Sequence, residues 1–184
     1  MSPQPSLSTA RLLLRPFSPD DAPALQKLVG DKEIASTTLN IPHPYEDGMA
    51  ERWIETHEPN WVDGRLAVFA IVEPAAGLVG AISLRIEHAH KRAEAGYWIG
   101  VPFWGRGYAS EALVALIDFG FNHLGLNRIH ASHLTRNPAS GRVMVKAGMK
   151  YEGRRRQHFL KWEKFEDVEL YGILRSDVSS ATLS

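Results

Sequence analysis

The sequence predicts an α/β fold with α+β character, one central mixed sheet flanked by helices. Three observations predict it. Two apolar runs, Arg65 to Val72 and Leu78 to Ile86, are joined by the turn Pro74-Ala75-Ala76-Gly77, which reads as an antiparallel hairpin. Towards the C-terminus strand-like and helix-like patterns alternate, as they do where strands run parallel. Between these halves the apolar run Ala93 to Val101 leads through a Gly-rich turn into a helical pattern.

In chain order, Met1 to Ser8 is rich in Pro and Ser and is expected to be loose, as is 176–184. Arg11 to Arg15 reads as the first strand. Ser18-Pro19-Asp20-Asp21 starts a helix, with Ser as N-cap, Pro at the first position and an acid three residues on. That helix buries Ala22, Leu25, Leu28 and Val29 and stops near Gly30. Asp31 to Tyr45 is polar, carries Pro42 and Pro44, and reads as a long loop of the kind that is functional or mobile. A second helix puts Met49, Trp53, Ile54 and His57 on one side and is expected to end at Pro59. Trp53 and Trp61 read as core or wall residues rather than specific ligand contacts.

After the hairpin and the third strand, Ala109, Leu113, Leu116, Ile117, Gly120 and Leu124 recur at helical spacing. Arg128 to His133 is the next strand. Asn137 caps a helix whose first residue is Pro138 and which Gly148 closes. Met149 to Arg154 and Asp167 to Leu174 read as the last two strands, separated by the basic, aromatic stretch Arg155 to Lys164.

Length and composition exclude several classes. The 184 residues fit one domain, taken as 1–184 with its core at about 9–174. With no run of 18 apolar residues, no transmembrane helix is predicted. With no cysteine there is no disulfide framework, no zinc–thiolate site and no thiol nucleophile, which agrees with a cytoplasmic protein. His88 and His90 share a strand face, but no third ligand is evident, so no metal is expected. Charge is neutral in sum and uneven in place. Acids outnumber Lys and Arg nine to three from Pro19 to Asn60, and bases outnumber acids nine to two from Arg136 to Lys164. The basic segment suits an anionic ligand or is a solvated face; the neutral total argues against a dedicated nucleic-acid binder.

The stretch Phe103-Trp104-Gly105-Arg106-Gly107-Tyr108-Ala109-Ser110-Glu111 is the focus of the chain. Two glycines allow a turn with its amides inward, and the helix that follows starts with unpaired N–H groups and a positive dipole end. This is either an anion site, suited to a phosphate or pyrophosphate, or a tight turn with no ligand. The P-loop pattern is absent, and the third small residue of the dinucleotide fingerprint is missing.

A third pattern fits. Trp104-Gly105-Arg106-Gly107-Tyr108-Ala109 resembles the acetyl-CoA pyrophosphate loop of the GNAT N-acetyltransferase superfamily, Gln/Arg-x-x-Gly-x-Gly/Ala. Trp at the first position and the tail Ala109-Ser110-Glu111-Ala112 are similar to the RimJ/RimL branch, the ribosomal-protein N-terminal acetyltransferases. The resemblance runs roughly from Thr9 to Leu174 and implies the GNAT fold, a central mixed, splayed sheet of about seven strands flanked by about four helices. It implies acetyl-CoA as co-substrate and no metal. The pyrophosphate is expected on the amides of Gly105, Arg106, Gly107, Tyr108, Ala109 and Ser110. The backbone of Trp98, Ile99 and Gly100 is expected to face the pantetheine arm, one N–H polarising the thioester carbonyl. A single donor of that kind is worth roughly 10²–10³ in rate. The first two helices and their loop are expected to overhang the acceptor.

Three further positions follow from the resemblance. Glu94, in Ala93-Glu94-Ala95-Gly96-Tyr97-Trp98, matches the strand where many acetyltransferases carry a general-base Glu. A carboxylate beside a buried run is costly unless used or paired, so its other reading is a structural partner of Arg92 or Arg128. Asn137 and Ser140 match the Asn-x-x-Ser of the branch, where Asn contacts CoA and Ser is placed to hydrogen-bond its sulfur; Asn137 is equally an ordinary N-cap. The Tyr general acid that many relatives carry seven residues after the Asn is Met144 here. Ser140 or Tyr151 is the candidate to replace it. The turn before Asp167 is also unusual, Lys161-Trp162-Glu163-Lys164, and Arg154-Arg155-Arg156 is a surface face or an acceptor contact.

The sequence thus points to direct acetyl transfer from acetyl-CoA to a primary amine, a protein N-terminus first and a small amine (amino acid, polyamine or antibiotic) second. A non-catalytic acyl-CoA-binding module is the alternative from another class. No membrane partner is expected, and a homodimer is compatible with the resemblance.

Overall fold

The structure, a computed structural model, describes residues 3–181; the ends of the two terminal segments expected to be loose lie outside the described residues, and 176–181 of the second is helical rather than loose. β1 (Leu7–Ser8) and β2 (Leu13–Arg15) come first, then α1 (Ala22–Val29), α2 (Lys32–Thr37), α3 (Met49–Glu55) and α4 (His57–Val62). β3 (Leu66–Glu73), β4 (Gly77–Glu87) and β5 (Arg92–Ile99) form an antiparallel meander. α5 (Tyr108–Asn122) leads to β6 (Arg128–Leu134), α6 (Pro138–Lys146) to β7 (Lys150–Lys161), and β8 (Lys164–Leu174) runs into α7 (Arg175–Ala181). The strands make one mixed sheet in the order β1-β2-β3-β4-β5-β6-β8-β7, in which β5 and β6 are the parallel pair.

The mixed sheet flanked by helices is the architecture expected, with more pieces than the seven strands and four helices foreseen. Leu7–Ser8 pairs with Leu13 and Leu14, so the end of the supposedly loose N-terminal segment is a strand. α2 occupies the first half of the expected loop 31–45, its N-cap Asp31 accepting the Glu33 N–H. Pro59 lies inside α4 rather than ending a helix. It is the third residue there, within the first turn, where a missing N–H removes no helical bond. The largest correction is at the end of the chain. Arg155 to Lys164 is not a linker but the outer half of a long hairpin formed by β7 and β8. Its turn residues Trp162 and Glu163 both hold positive φ, 48° and 62°, the conformation that two-residue hairpin turns need.

Alternation along the strands builds two unlike faces. Ala67, Phe69, Ile71, Leu84, Ala93 and Ala95 turn to one side and pack with Leu113, Leu116 and Phe119 of α5 and with Ile129 of β6 in the main core. Ala70 and Leu78 turn to the other side, where Leu25 and Val29 of α1 and Ala50 and Ile54 of α3 form a second, smaller core. That second layer covers only the β2–β4 end; further along the same face, Arg85, Glu94 and Gly96 are exposed.

The register of β5 and β6 decides where a site can be. They pair at Arg92 with Arg128, Ala93 with Ile129 and Glu94 with His130, and no further. β5 then continues to Ile99 against β4, while β6 continues to Leu134 against β8. The two parallel strands diverge, and a gap opens in the middle of the sheet.

Phe17, Trp53 and His57 close the end of the smaller core. The His57 ring lies edge-on to Trp53 at 4.3 Å between centroids, and neither ring nitrogen has a hydrogen-bond partner. Burial pushes its pKa down to about 4 from 6.5, so it folds neutral. Between those two values the unfolded chain binds a proton that the folded chain does not. Stability is therefore full above pH 6.5 and falls as pH drops towards 4. In urea denaturation at pH 7 and pH 4.5, wild type should lose about 2–3 kcal/mol more than His57→Phe. Parallel losses would show that His57 does not couple to folding.

Candidate active site

β5 contributes backbone first. The Gly100 N–H donates to the Val79 carbonyl at 2.8 Å, so the groups of Gly100, and by alternation those of Trp98, belong to the ladder with β4. The Lys91 carbonyl accepts from Asn127 and Arg128 on the opposite side, and Tyr97 and Ile99 share its parity. Of the three residues expected to offer backbone to the pantetheine arm, only Ile99 faces the gap; Tyr97 is the second that does. The Ile99 carbonyl accepts from Trp104 Nε1 at 2.5 Å, which leaves its N–H turned to the gap.

The Gly-rich turn follows. Gly105 and Gly107 hold φ of 76° and 83°, a region closed to most side chains, and Gly107 caps α5 in the left-handed conformation. The first bond of α5 runs from the Glu111 N–H to the Gly107 carbonyl, so the N–H groups of Tyr108, Ala109 and Ser110 have no acceptor within the helix. Gly105, Gly107, Tyr108, Ala109 and Ser110 line one continuous cavity of about 880 Å³. Arg106 and Gly100 do not line it. The Arg106 guanidinium folds back over the Phe103 ring and onto the Pro102 carbonyl, so Arg106 can contribute no more than its backbone.

The turn is braced by residues the sequence reading passed over. Arg11 donates to Glu111 from its backbone N–H at 2.9 Å and from Nε at 2.7 Å, and to the Arg106 carbonyl at 3.0 Å. Thr9 Oγ1 donates to the same carboxylate at 2.6 Å. Burial works against the charge of Glu111, but these hydrogen bonds from Thr9 and Arg11 hold its carboxyl below the usual range. The partners are about a hundred positions apart, and no local pattern could have signalled them.

α6 forms the other wall. Asn137 Oδ1 accepts the Ser140 N–H at 3.4 Å, a long cap bond that leaves the amide NH₂ to donate elsewhere. Gly141 lets the helix lie close on β6, where a Cβ would stand 2.7 Å from His133 Nε2. At that depth Ser140 Oγ meets the Tyr97 hydroxyl at 2.8 Å, and the same hydroxyl lies 3.0 Å from the Ser140 carbonyl. Burial pushes the Tyr97 phenol up, so it stays protonated. Its signal in the sequence was parity alone, two residues before Ile99. Met144 is buried and has no proton to give. Tyr151, the other candidate acid, is 57% exposed on β7 and does not line this cavity. Three of the nine cations in the basic C-terminal segment are ion-paired, Arg136 with Glu166, Lys150 with Asp177 and Arg154 with Glu169, while Arg142 and Lys146 of α6 line the cavity.

Glu94 lies on the opposite face of the sheet. It is exposed rather than buried, and its suggested partners are engaged elsewhere, Arg92 with Glu87 and Arg128 with Glu152. It lines the same cavity, with Arg85 across from it on β4 and His130 beside it on β6. Burial holds the His130 imidazole below its ordinary value although the Glu94 charge pulls the other way. The cavity is thus lined by the Gly-rich turn and α6 on one face and by α1, the 37–45 segment and α3 on the other. Among the described residues no group of three or more His, Cys, Asp or Glu could hold a metal ion, and no helix is long and apolar enough to cross a membrane.

The family described as an acetyltransferase (GNAT) domain matches residues 11–150. The chain belongs to the GNAT acetyltransferases. It is an N-acetyltransferase and uses acetyl-CoA. YoaA of Bacillus subtilis (strain 168), named as an uncharacterized N-acetyltransferase, is 31% identical over 173 residues, covering 93% of this chain and 97% of that protein. The spermidine N(1)-acetyltransferase of Vibrio cholerae is 24% identical and covers 91% and 95%. RimL, a ribosomal L7/L12 α-N-protein acetyltransferase solved with coenzyme A, superposes with a TM-score of 0.85 at 21% identity, covering 92% and 98%. The residues fit the cofactor. Free amides and a positive helix end suit a pyrophosphate, Arg142 and Lys146 of α6 line the same cavity, and the open edge of β5 suits an amide-bearing arm.

If the pyrophosphate rests on the turn, Gly107→Glu should abolish the rise in Tm that acetyl-CoA gives the wild type. Gly77→Glu is the control. It carries the same strain, at φ 77° in the distant β3–β4 turn, and the same charge, so it should lower the Tm yet keep the shift. A folded Gly107→Glu with an undiminished shift would move the phosphate site elsewhere.

Proposed function

We propose that this enzyme transfers the acetyl group of acetyl-CoA directly to the α-amine of a protein or peptide N-terminus. The observation that carries the reading is the gap between β5 and β6, with anion-binding amides on one side and a single carboxylate, Glu94, on the other. Acetyl-CoA supplies a thioester, whose sulfur leaves as a thiol of pKa about 8.5.

In this reading the amides of Tyr108 to Ser110 hold the pyrophosphate, with Arg142 and Lys146 adding positive charge. The Asn137 amide steadies the cofactor arm. The Ile99 N–H stands where negative charge develops on the carbonyl oxygen, the position at which a fixed donor accelerates most. Ser140, backed by Tyr97, donates to the departing sulfur. Glu94 accepts the proton that the amine sheds. No covalent enzyme intermediate is required.

The choice of acceptor rests on the amine's own basicity. An α-amine of pKa about 7.8 is already partly neutral at physiological pH. A lysine amine near 10.4 is roughly a hundredfold more protonated.

Glu94→Gln keeps the shape and removes the base. It should lower kcat/KM roughly 10²–10⁴-fold near neutral pH and leave the acetyl-CoA affinity unchanged. The rate should recover as pH rises, and with an α-amine acceptor it should do so about 2.6 pH units earlier than with a matched lysine acceptor. The measurement is a pH–rate profile of both proteins with peptides blocked at one amine or the other. Wild-type rates across the neutral range in the variant would make Glu94 a bystander.

A further inference from the structure

The acceptor half of the cavity has a character that the position of Glu94 does not require. Its walls are mainly apolar, Leu25 and Val29 from α1, Ile41 from the segment after α2, Met49 and Trp53 from α3 and the ring of Trp98 from β5, with Thr37, Thr38 and Asn40 the uncharged polar residues of the roof. Behind this surface lies more of the same. Phe17 stands edge-on to Trp53 at 5.2 Å, and the buried His57 packs against both rings.

The roof over this half is fixed in place. The Ser36 carbonyl accepts from Arg136 at 2.6 Å and the Leu39 carbonyl from Lys161 at 3.4 Å. Arg136 is held in turn by Glu166 at 2.9 Å and directly precedes the cap residue Asn137. Lys161 is only 8% exposed, an uncommon depth for a lysine, and it spends its ammonium on this loop. The segment from Thr37 to Pro42, which lines the cavity, is therefore pinned at both the α6 and the hairpin side.

Charge supplies the second half of the inference. Glu94 is the one carboxylate lining the cavity among the described residues, and Arg85 lies opposite it in the strand register. A single amine can use Glu94. A second or third ammonium on the same molecule would meet an apolar wall or Arg85, and an unpaired cation on an apolar wall is strongly disfavoured.

We propose that the pocket between α1, α3 and Trp98 is a specificity subsite for a large apolar or aromatic group next to the acceptor amine. The enzyme then prefers monoamines of that kind, peptides beginning with Leu, Met or Phe among them, and discriminates against polyamines. This rests on the α-amine reading only in its choice of peptides.

Peptides that differ only in their first residue test it directly, by thiol release from acetyl-CoA. Leu, Met and Phe should exceed Gly, Ser and Asp by roughly 10–100-fold in kcat/KM, the range an apolar pocket can supply. Spermidine should be poorer than any apolar monoamine. Trp53→Ala should erase the preference, but it also removes the ring that Phe17 and His57 pack on, so lost folding would give the same result. Met49→Asp avoids that difficulty. Met49 is half-buried at the first position of α3, where an acid suits the helix dipole. It should lower the rate with Leu and Phe peptides and raise it with spermidine. Faster turnover of Gly or Ser peptides than of Leu or Phe peptides, or a wild-type preference for spermidine, overturns the subsite.

Phenethylamine against ethanolamine separates this from the α-amine reading. If blocked peptides react through an internal lysine, that reading fails, while a phenethylamine preference reversed in Met49→Asp still upholds the subsite. Should none of these amines turn over, calorimetric binding to the CoA complex decides. Phenethylamine binding more tightly than ethanolamine and spermidine supports the subsite, and no advantage for phenethylamine overturns it.

Discussion

The divergence of β5 from β6 is the constraint on which the rest depends. Two parallel strands that pair for three residues and then separate leave backbone groups without ladder partners in the middle of a sheet. An unpaired buried N–H or C=O costs about 1–3 kcal/mol, so such a gap persists only where other groups answer it. Trp104 answers one, donating its indole N–H to the Ile99 carbonyl. The Tyr97 side chain, anchored on α6, fills part of the opening. The remaining donors are available to a ligand with carbonyls of its own. Holding the gap open falls to the elements on either side: β5 is fixed by its full ladder with β4, and β6 by seven register pairs with β8. The strands cannot close on each other without breaking those ladders.

A second consequence is that the site must be stabilised from a distance. The Gly-rich turn has two residues at positive φ and little packing of its own. Arg11, on the approach to β2, ties the Arg106 carbonyl and the Glu111 carboxylate together and covers the Tyr108 ring at 5.0 Å. Arg11 is half-exposed and its pairing with Glu111 is screened by solvent, so its value lies in geometry more than in stability. On the opposite side Arg136 and Lys161 do the same for the acceptor roof. Cations that looked like a basic surface in the sequence are spent on holding loops by their carbonyls.

What the sequence revealed was what local rules encode. The hairpin at Pro74 to Gly77, the cap at Asn137 and the glycines of the turn each express a backbone preference that acts over a few residues, and each was placed correctly. Glu94 is singled out by its match to a strand that carries a general-base Glu and by the cost of a carboxylate beside a buried run; the second argument does not apply, since Glu94 is exposed and faces the cavity. Whether Trp98 or Ile99 faces the gap depends on register parity, which a one-residue slip reverses and which no stretch of sequence fixes alone. The turn at Lys161 to Lys164 is legible, but the strands that run up to it are not, because Trp162 and Glu163 adopt positive φ without the Gly, Asn or Asp that normally announces a hairpin. Arg11 with Glu111, and Lys161 with Leu39, are pairings across about a hundred residues or more, set by the fold as a whole.

The missing tyrosine on α6 shows how these levels interact. With Met144 in the core, α6 offers Ser140 in place of a tyrosine, and Tyr97 of β5 backs it. Tyr97 has one proton and two acceptors within reach, the Ser140 carbonyl and the Ser140 hydroxyl. When it donates to the carbonyl, the serine hydroxyl can satisfy its own proton on the phenol oxygen and has none to offer outward. When it donates to the hydroxyl, the serine proton is released to point into the cavity. The phenol stays neutral because burial disfavours its anion, so it can return to either arrangement after each turnover. A thiolate of pKa about 8.5 needs a hydrogen bond rather than a strong acid to leave at neutral pH. In the proposed mechanism a serine hydroxyl backed by a buried phenol meets that lesser requirement, and Gly141, by letting α6 lie close to the sheet, keeps the two residues in contact.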